Sequence, residues 1–261
     1  AFDTVYGWGA GKALTTGDQN NFIGYHAGAS VTTGSFNIMI GVEAGDGFDT
    51  EGNNIGIGQA ALGGSIVGGE FNVAIGNLSL DALTSGDYNV AVGYKAGSAL
   101  TTGGSNTFVG HQSNSIGATT GDSNSGFGME TLDALTSGDN NTAIGYRAAL
   151  ALTTGGNCTF VGYQAGAANT AHQITAVGSL AAAANTSGDG IVALGREAYL
   201  QADTESHNMA IGVGAMAGAV NGGEYNVAVG NYSLDALTSG DANTAVGYQS
   251  GSAITTGANN V

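Results

Sequence analysis

The chain has no proline, one cysteine and four basic side chains among its 261 residues. The single cysteine, Cys158, excludes an intrachain disulfide framework. Four lysines and arginines against twenty aspartates and glutamates give a formal net charge of −16, which argues against nucleic acid and anionic membranes as partners. Because the sequence has neither a long apolar run nor a basic leader followed by apolar residues, we predict no membrane insertion and recognise no signal peptide.

Charged residues make up only 9% of the chain and aromatic residues 7%, whereas hydrophobic residues reach 42%. That apolar content argues against disorder, which goes with few apolar residues and much charge. Glycine, with 48 residues, is roughly two and a half times as frequent as in average proteins. This composition is typical of thin, closely stacked layers, and its acidity suits an extracellular or virion protein.

A glycine that follows an apolar residue recurs at intervals of 16 to 18 residues along the whole chain. We call it the repeat glycine, and its fourteen regular occurrences are Gly24, Gly41, Gly58, Gly76, Gly93, Gly110, Gly128, Gly145, Gly162, Gly178, Gly195, Gly212, Gly230 and Gly247. Gly7 lies one step earlier. Such a period predicts one small unit stacked on itself. We expect a single array over residues 1–261, with about 15 rungs ~4.8 Å apart. The repeat is irregular around residues 168–206. We also expect this array to be a fragment of a longer fibre chain.

Residues 141–157 illustrate one unit. Alternation over the first five residues, with Ile144 before the repeat glycine, predicts a short strand. Residues 150–153 are predicted to form a second short strand, and Thr154-Gly155-Gly156 a turn. Frequent glycine and β-branched residues oppose a helix. The unit therefore predicts an all-β fold, a stacked parallel β-roll or β-solenoid with rungs of about 17 residues.

The residue before the repeat glycine is apolar in all fourteen units. Its members are Ile23, Ile40, Ile57, Ile75, Val92, Val109, Phe127, Ile144, Val161, Val177, Leu194, Ile211, Val229 and Val246. Large apolar side chains in a regular column are typical of a buried core. We predict that this column is the core stripe of the solenoid.

Three residues after the repeat glycine only alanine, serine or threonine occurs, from Ala27 to Ser250. A column of such small side chains indicates close backbone approach, either across a narrow coil or between subunits. Alanine or glycine also stands two residues before the repeat glycine in most units. We predict a homotrimer built on these small residues, with the larger Phe22, Phe108 and Phe160 at or near the interface.

Asparagine stands four residues before the repeat glycine in eleven of the fourteen units, and the exceptions, Cys158, Ile174 and Ile191, are consecutive. Stacked asparagine side chains can form a hydrogen-bonded ladder. A solvent-facing turn asparagine would more often be replaced by serine, aspartate or glycine than by apolar residues. We therefore favour a buried ladder over a solvent-facing column.

No constellation for chemistry stands out. Glycine-x-glycine runs follow from the repeat and lack the helix of a dinucleotide fingerprint, and Lys12 is not in a phosphate loop. The four histidines lack metal-ligand spacing. We predict no enzyme, no catalytic residues, no cofactor and no metal site, while leaving open calcium at the acidic loop 45–52, which contains Asp46, Asp49 and Glu51.

Three further side-chain columns admit two interpretations each. We interpret Asp81, Asp133 and Asp235 as solvated turn residues. The first two lie three rungs, or ~14 Å, apart, which is too far for the paired carboxylates of a glycosidase, ~5–9.5 Å. Paired threonines beside the turn glycines suggest ice binding only weakly. Tyrosines after the repeat glycine either stack on sugars or pack in a groove, and packing is favoured; they are Tyr25, Tyr94, Tyr146, Tyr163 and Tyr248.

The run Asn-x-Ala-Val-Gly-Tyr, at residues 89–94 and 243–248, resembles the repeats of phage tail fibres and related bacterial surface proteins. Its Ala-Ile-Gly-x-x-Ala core, as at residues 143–148, is similar to the head repeat of trimeric autotransporter adhesins. Those heads are parallel β-rolls that trimerise about their long axis. The resemblance covers nearly the whole chain and is weakest over residues 168–206. The repeat units of this chain are longer than the adhesin head unit.

The resemblance implies a homotrimeric structural segment of a phage tail fibre, located on the virion, that positions or contributes to recognition of a host glycan or protein receptor. One alternative is the head of a trimeric adhesin on a bacterial cell surface. Another is a tailspike that depolymerises glycans. A baseplate-binding segment beside this one would indicate the fibre, a membrane anchor the adhesin, and sugar release the enzyme.

Overall fold

The computed structural model describes residues 2–261 and confirms an all-β parallel solenoid of about 14 turns, with rungs of about 17 residues. None of the described residues is helical. Two compact units are distinguished: unit 1 runs to Glu130 and adds Ala134–Ser137, and unit 2 holds Thr131–Asp133 and Gly138–Val261.

Unit 1 contains eight three-residue strands that pair in parallel in chain order. They are β1 (Thr4–Tyr6), β2 (Asn21–Ile23), β3 (Ile38–Ile40), β4 (Ile55–Ile57), β5 (Val73–Ile75), β6 (Val90–Val92), β7 (Thr107–Val109) and β8 (Ser125–Phe127). Equivalent residues are in exact register, for example Ile38 with Ile55 and Ile40 with Ile57.

Unit 2 contains seven strands in the same arrangement. They are β9 (Thr142–Ile144), β10 (Thr159–Val161), β11 (Thr175–Val177), β12 (Val192–Leu194), β13 (Met209–Ile211), β14 (Val227–Val229) and β15 (Thr244–Val246). Every strand immediately precedes a repeat glycine, as predicted. The second strand predicted at residues 150–153 is absent, because that segment forms turns.

The predicted core stripe is wrong. In β2 to β15 the middle residue of each strand is buried, and the first and third residues, including the whole column that precedes the repeat glycine, are half-buried or exposed. The large interior side chains come from other positions of the repeat, as Leu80, Leu100 and Leu132 do, which are all 0% exposed. The small column after the repeat glycine also lines the interior, and Ala27, Ala96 and Ala165 are fully buried within the chain.

The phenylalanines predicted at a subunit interface are also interior residues, since Phe22, Phe108 and Phe160 are all 0% exposed. Phe22 and Phe160 fill the coil where the residue six positions later is glycine. A Cβ on Gly28 would lie 2.7 Å from the Phe22 ring, and one on Gly166 only 2.0 Å from Phe160. In these two rungs a glycine therefore leaves the space that the large ring occupies.

The repeat glycine is required by close approach between rungs. Gly24 has φ +143°, and a Cβ there would lie 2.2 Å from the carbonyl oxygen of Gly41. The same contact recurs from Gly41 to the oxygen of Gly58, at 2.3 Å. No other residue combines this φ with this spacing, which explains why the glycine recurs in every rung.

Non-glycine residues also adopt left-handed backbone conformations. Thirty-six of the described residues have φ between 48° and 63°, a region that costs an ordinary residue roughly 1–2 kcal/mol. The backbone N–H of such a residue donates to a carbonyl of the neighbouring rung. The Glu43 N–H donates to the Tyr25 carbonyl at 2.8 Å, and the Lys95 N–H donates to the Asn77 carbonyl at 3.0 Å. Bonds between rungs, each contributing about 0.5–1.5 kcal/mol, offset the conformational cost.

The predicted buried asparagine ladder is confirmed. All the asparagines of the column from Asn20 to Asn243 are at most 1% exposed. The Oδ1 of Asn89 accepts the backbone N–H of Asn106 at 2.9 Å, and the Nδ2 of Asn106 donates to the carbonyl of Gly121 at 2.9 Å. Each asparagine therefore joins the start of one strand to the turn of the next rung, and Cys158, Ile174 and Ile191 are buried in the same column.

Candidate interaction surface

The outward side chains of the first and third residues of the strands form two parallel columns, which we call the strand face. Neighbouring rungs place equivalent side chains ~4.8 Å apart. In unit 1 the middle four rungs are aliphatic at both positions, with Ile38, Ile40, Ile55, Ile57, Val73, Ile75, Val90 and Val92. Ile75 is 39% exposed and the other seven are half-buried, so this regular apolar array is partly accessible on the surface of the chain.

Unit 2 carries the same face with more polar first positions. Its third positions are aliphatic in all seven strands: Ile144, Val161, Val177, Leu194, Ile211, Val229 and Val246. Threonine occupies the first position in β9, β10, β11 and β15. No charged residue occurs on the strand face of either unit, although the chain has a net charge of −16.

The tyrosines that follow the repeat glycine lie on the surface, so the prediction that they pack in a groove of the chain is wrong. Tyr94 and Tyr163 are exposed and Tyr146 is half-buried. They stack on a ring of the neighbouring rung, as Tyr146 does on Tyr163 with centroids 5.5 Å apart and Tyr94 on His111 at 5.3 Å. Stacking between successive rungs explains their arrangement without a ligand.

A second aromatic column was missed by the sequence analysis. It lies immediately before the ladder asparagines, where Phe71 stacks on Tyr88 in unit 1 and His207 on Tyr225 in unit 2. Beside Tyr88 a polar groove of about 410 Å³ opens between successive turns of unit 1. The groove is lined by Ser85, Asp87, Thr102, Ser105, Asp122 and Ser123, among others. The signal in the sequence was an aromatic residue before the ladder asparagine, at a position otherwise mostly polar.

The acidic loop considered for calcium uses its carboxylates within the protein. Glu51 is 4% exposed, and its Oε2 accepts the backbone N–H groups of Asp49 and Thr50 at 2.9 and 3.0 Å. Its Oε1 accepts the N–H of Gly68 at 2.9 Å. Burial alone would raise the pKa of Glu51, but these hydrogen bonds outweigh it and hold the pKa below its usual value. Asp49 in turn accepts the Thr32 hydroxyl.

A buried glutamate that accepts backbone N–H groups occurs in unit 2 as well. Glu205 accepts the N–H groups of Asp203, Thr204 and Gly222. In both units the carboxylate reaches a glycine of the following turn. We interpret Asp49-Thr50-Glu51 and Asp203-Thr204-Glu205 as structural corners that fasten one turn to the next.

The prediction that three aspartates are solvated turn residues is wrong for Asp133, which is 5% exposed. Asp81 and Asp235 are half-buried turn residues. Burial raises the pKa of Asp81, against the opposing effects of a backbone hydrogen bond and of the charge on Lys95. Burial also raises the pKa of Asp46, with the charge of Glu43 adding to the effect. These environments favour the protonated carboxyl.

The histidines have structural explanations. His26, His111 and His207 stack on aromatic rings, and the Nδ1 of His172 accepts the N–H of Gly156 at 3.0 Å. Cys158 is buried, which raises the pKa of its thiol. Within residues 2–261 no three His, Cys, Asp or Glu side chains are grouped so as to hold a metal ion.

The same part of the chain contains no helix of the length and apolarity that crossing a bilayer requires. Comparisons of the sequence with protein-family models and with curated proteins, and of the fold with solved structures, find no match. The resemblance to tail-fibre and adhesin-head repeats therefore stays a prediction from the sequence pattern, and the function is argued below from the surface itself.

Proposed function

We propose that the chain is a structural segment of a fibre, assembled as a homotrimer through the strand face, that holds a host-recognition region away from a virion. The single observation behind the proposal is the charge-free aliphatic strand face. Parallel sheets are almost always covered on both sides. Here the coil covers the inner side, and among residues 2–261 the outward strand residues of both units stay half-buried or exposed.

The face is suited to a partner of the same kind. A continuous apolar surface of more than a few hundred Å² is unusual on a monomer and marks an interaction site. Identical chains aligned in parallel would bring each rung against its own copies, so that Ile57 meets Ile57 and apolar residues meet at the third position of every strand from β2 to β15. Closed symmetry would bury all the faces equally and leave no open end for further association.

Three chains, rather than two, agree with the narrowness of the face and with the resemblance to trimeric repeat proteins. Two columns of side chains form a stripe that can point at a common axis, where every stripe touches both others. The acidic side chains then remain outside, where water and salt screen the repulsion between three chains of charge −16. Avidity from three copies would strengthen weak contacts with a host surface.

Light scattering on the chain tests the assembly. We expect three times the chain mass of 25.5 kDa, and we expect Ile57→Lys to reduce the mass to that of one chain because it places charge in the apolar stripe. Gln59→Lys is the matched control, since this exposed residue lies two positions away and outside the strand face. Far-ultraviolet circular dichroism checks that both variants keep the solenoid. A monomeric wild-type chain, or an unchanged mass for Ile57→Lys, would contradict the proposal.

The proposed location of the segment, on the fibres of a virion, is tested separately. A labelled antibody against this chain should decorate fibres on intact phage particles. Labelling of bacterial cells alone would favour the adhesin head, and release of reducing sugar from host glycan by the purified chain would favour the depolymerase.

A further inference from the structure

Phe71 and Tyr88 form a rigid aromatic platform on the surface of unit 1. Their ring centroids are 5.1 Å apart and their planes differ by 5°. The side chains are 45% and 60% exposed, so ring surface faces solvent. Both residues have φ 58° and immediately precede the buried ladder residues Asn72 and Asn89, which fix their backbone. Such preorganised rings can bind a flat apolar surface at low cost in conformational entropy.

The polar groove adjoins this platform and has Tyr88 in its wall. The groove has a volume of about 410 Å³ and is widely open to solvent, so a ligand would lie along it with one side exposed. The other groups in its wall include the hydroxyls of Ser85, Thr102 and Ser105 and the carboxylates of Asp87 and Asp122. Hydroxyls donate and accept hydrogen bonds, whereas ionised carboxylates only accept them.

The two carboxylates are held in place by the backbone of the preceding rung. The Oδ1 of Asp87 accepts the Glu70 N–H at 2.8 Å, and the Oδ1 of Asp122 accepts the Gly104 N–H at 2.6 Å. Ser105 is fixed by its own N–H, which donates to the Asp87 carbonyl at 2.9 Å. The groove is thus built from stacked turns whose relative positions are set by hydrogen bonds between rungs.

We propose that this groove binds a neutral oligosaccharide, with the C–H face of one pyranose ring on Tyr88 and sugar hydroxyls bonded to the carboxylates and serines. A sugar supplies what the groove lacks, namely many hydroxyl donors for carboxylate acceptors together with an apolar ring face. No cationic residue lines the groove, so phosphate, sulfate or uronate groups would meet uncompensated negative charge. The assignment does not depend on the trimeric fibre proposed above.

Titration calorimetry on the whole chain tests the proposal with four defined probes. Three are neutral hexasaccharides, of glucose, of mannose and of N-acetylglucosamine, and the fourth is an acidic hexasaccharide of alternating glucuronate and N-acetylglucosamine. We expect at least one neutral probe to bind and the acidic probe to bind at least tenfold more weakly. Tyr88→Ala should weaken the binding of the neutral probe by about tenfold or more, the usual result of truncating an aromatic anchor.

Two control variants give the test its specificity. Tyr88→Phe keeps the ring and should retain binding, and Tyr163→Ala removes an exposed tyrosine of the other aromatic column and should have no effect. The proposal is overturned if no neutral probe binds at millimolar concentration, if the acidic probe binds equally well, or if Tyr88→Ala binds as the wild type does. A fall in assembly mass for Tyr88→Ala would also overturn it, because the ring would then belong to a contact between chains. A wild-type monomer that binds the sugar would refute only the trimeric fibre.

Discussion

Replacing Asn106 with leucine removes four side-chain hydrogen bonds, and two of them serve backbone groups buried between rungs of unit 1. The Nδ2 of Asn106 donates to the Gly121 carbonyl at 2.9 Å, and its Oδ1 accepts the backbone N–H of Asn124 at 2.8 Å. Leucine can serve neither group. Each buried polar group left without a partner costs about 1–3 kcal/mol, so the free energy of unfolding should fall by about 2–6 kcal/mol.

The side chains of the neighbouring ladder asparagines also lose a bond. The Nδ2 of Asn106 donates to the Oδ1 of Asn89 at 3.2 Å, and the Nδ2 of Asn124 donates to the Oδ1 of Asn106 at 3.1 Å. The Oδ1 of Asn89 still accepts the backbone N–H of residue 106 after the substitution, at 2.9 Å in the wild type. The backbone groups that lose a partner are the Gly121 carbonyl and the Asn124 N–H.

Cys158→Val is the matched change at the point where the ladder becomes apolar. Cys158 is 1% exposed, and its thiol lies 3.5 Å from the carbonyls of Gly156 and Ala171, which makes it a weak donor at most. Its backbone N–H keeps its bond to the Oδ1 of Asn141. A swap of similar volume in a packed interior costs less than ~1.5 kcal/mol, and we expect an effect of that size.

Thermal unfolding followed by far-ultraviolet circular dichroism measures both changes, with urea unfolding as a second probe. A loss of 2–6 kcal/mol corresponds to roughly 5–20 °C in Tm for a chain of this size. Asn106→Ala serves as a control for crowding, because it removes the same side-chain hydrogen bonds without adding a branched side chain. Equal and negligible losses for Asn106→Leu and Cys158→Val would refute the ladder. A loss with leucine that is absent with alanine would attribute the effect to packing instead.

Two further predictions concern the interior and the corner of unit 1. Phe108→Ala should lower the free energy of unfolding by about 3–5 kcal/mol, because the ring is 0% exposed inside the coil. The assembly mass should not change. A fall in assembly mass without a loss of stability would show instead that Phe108 lies at an interface between chains. Glu51 has a lowered folded pKa, so it stabilises the fold above its unfolded value of 4.5, and this contribution is lost as the pH falls through the folded pKa. Glu51→Gln should therefore lower Tm at pH 7, and the difference in Tm between the variant and the wild type should shrink as the pH falls. Tm curves of the two proteins that run parallel from pH 7 to pH 3 would contradict this role of the Glu51 carboxylate.

Much of the architecture follows from the sequence because the repeat constrains every rung alike. A glycine that recurs every 17 residues predicts stacking, and alternation before it predicts the strand, as found at Thr142–Ile144. The exceptions Cys158, Ile174 and Ile191 predict that the asparagine column is buried, because apolar residues replace asparagine only where water is absent. The polar groove and its platform at Tyr88 could not be found this way, since they require the turns of several rungs to be assembled.

The tertiary structure alone decides which side of each strand faces inward. A three-residue strand such as Val73-Ala74-Ile75 reads as apolar at every position, so hydrophobicity assigns the larger residues to the core. In this rung a large interior side chain is Leu80, which is 0% exposed, and the strand turns Ala74 inward and Val73 and Ile75 outward. Shifting the alternation by one residue exchanges core and surface. The left-handed backbone at Glu43 and Lys95 goes with N–H groups that donate to the neighbouring rung, so it too is decided only when the rungs stack.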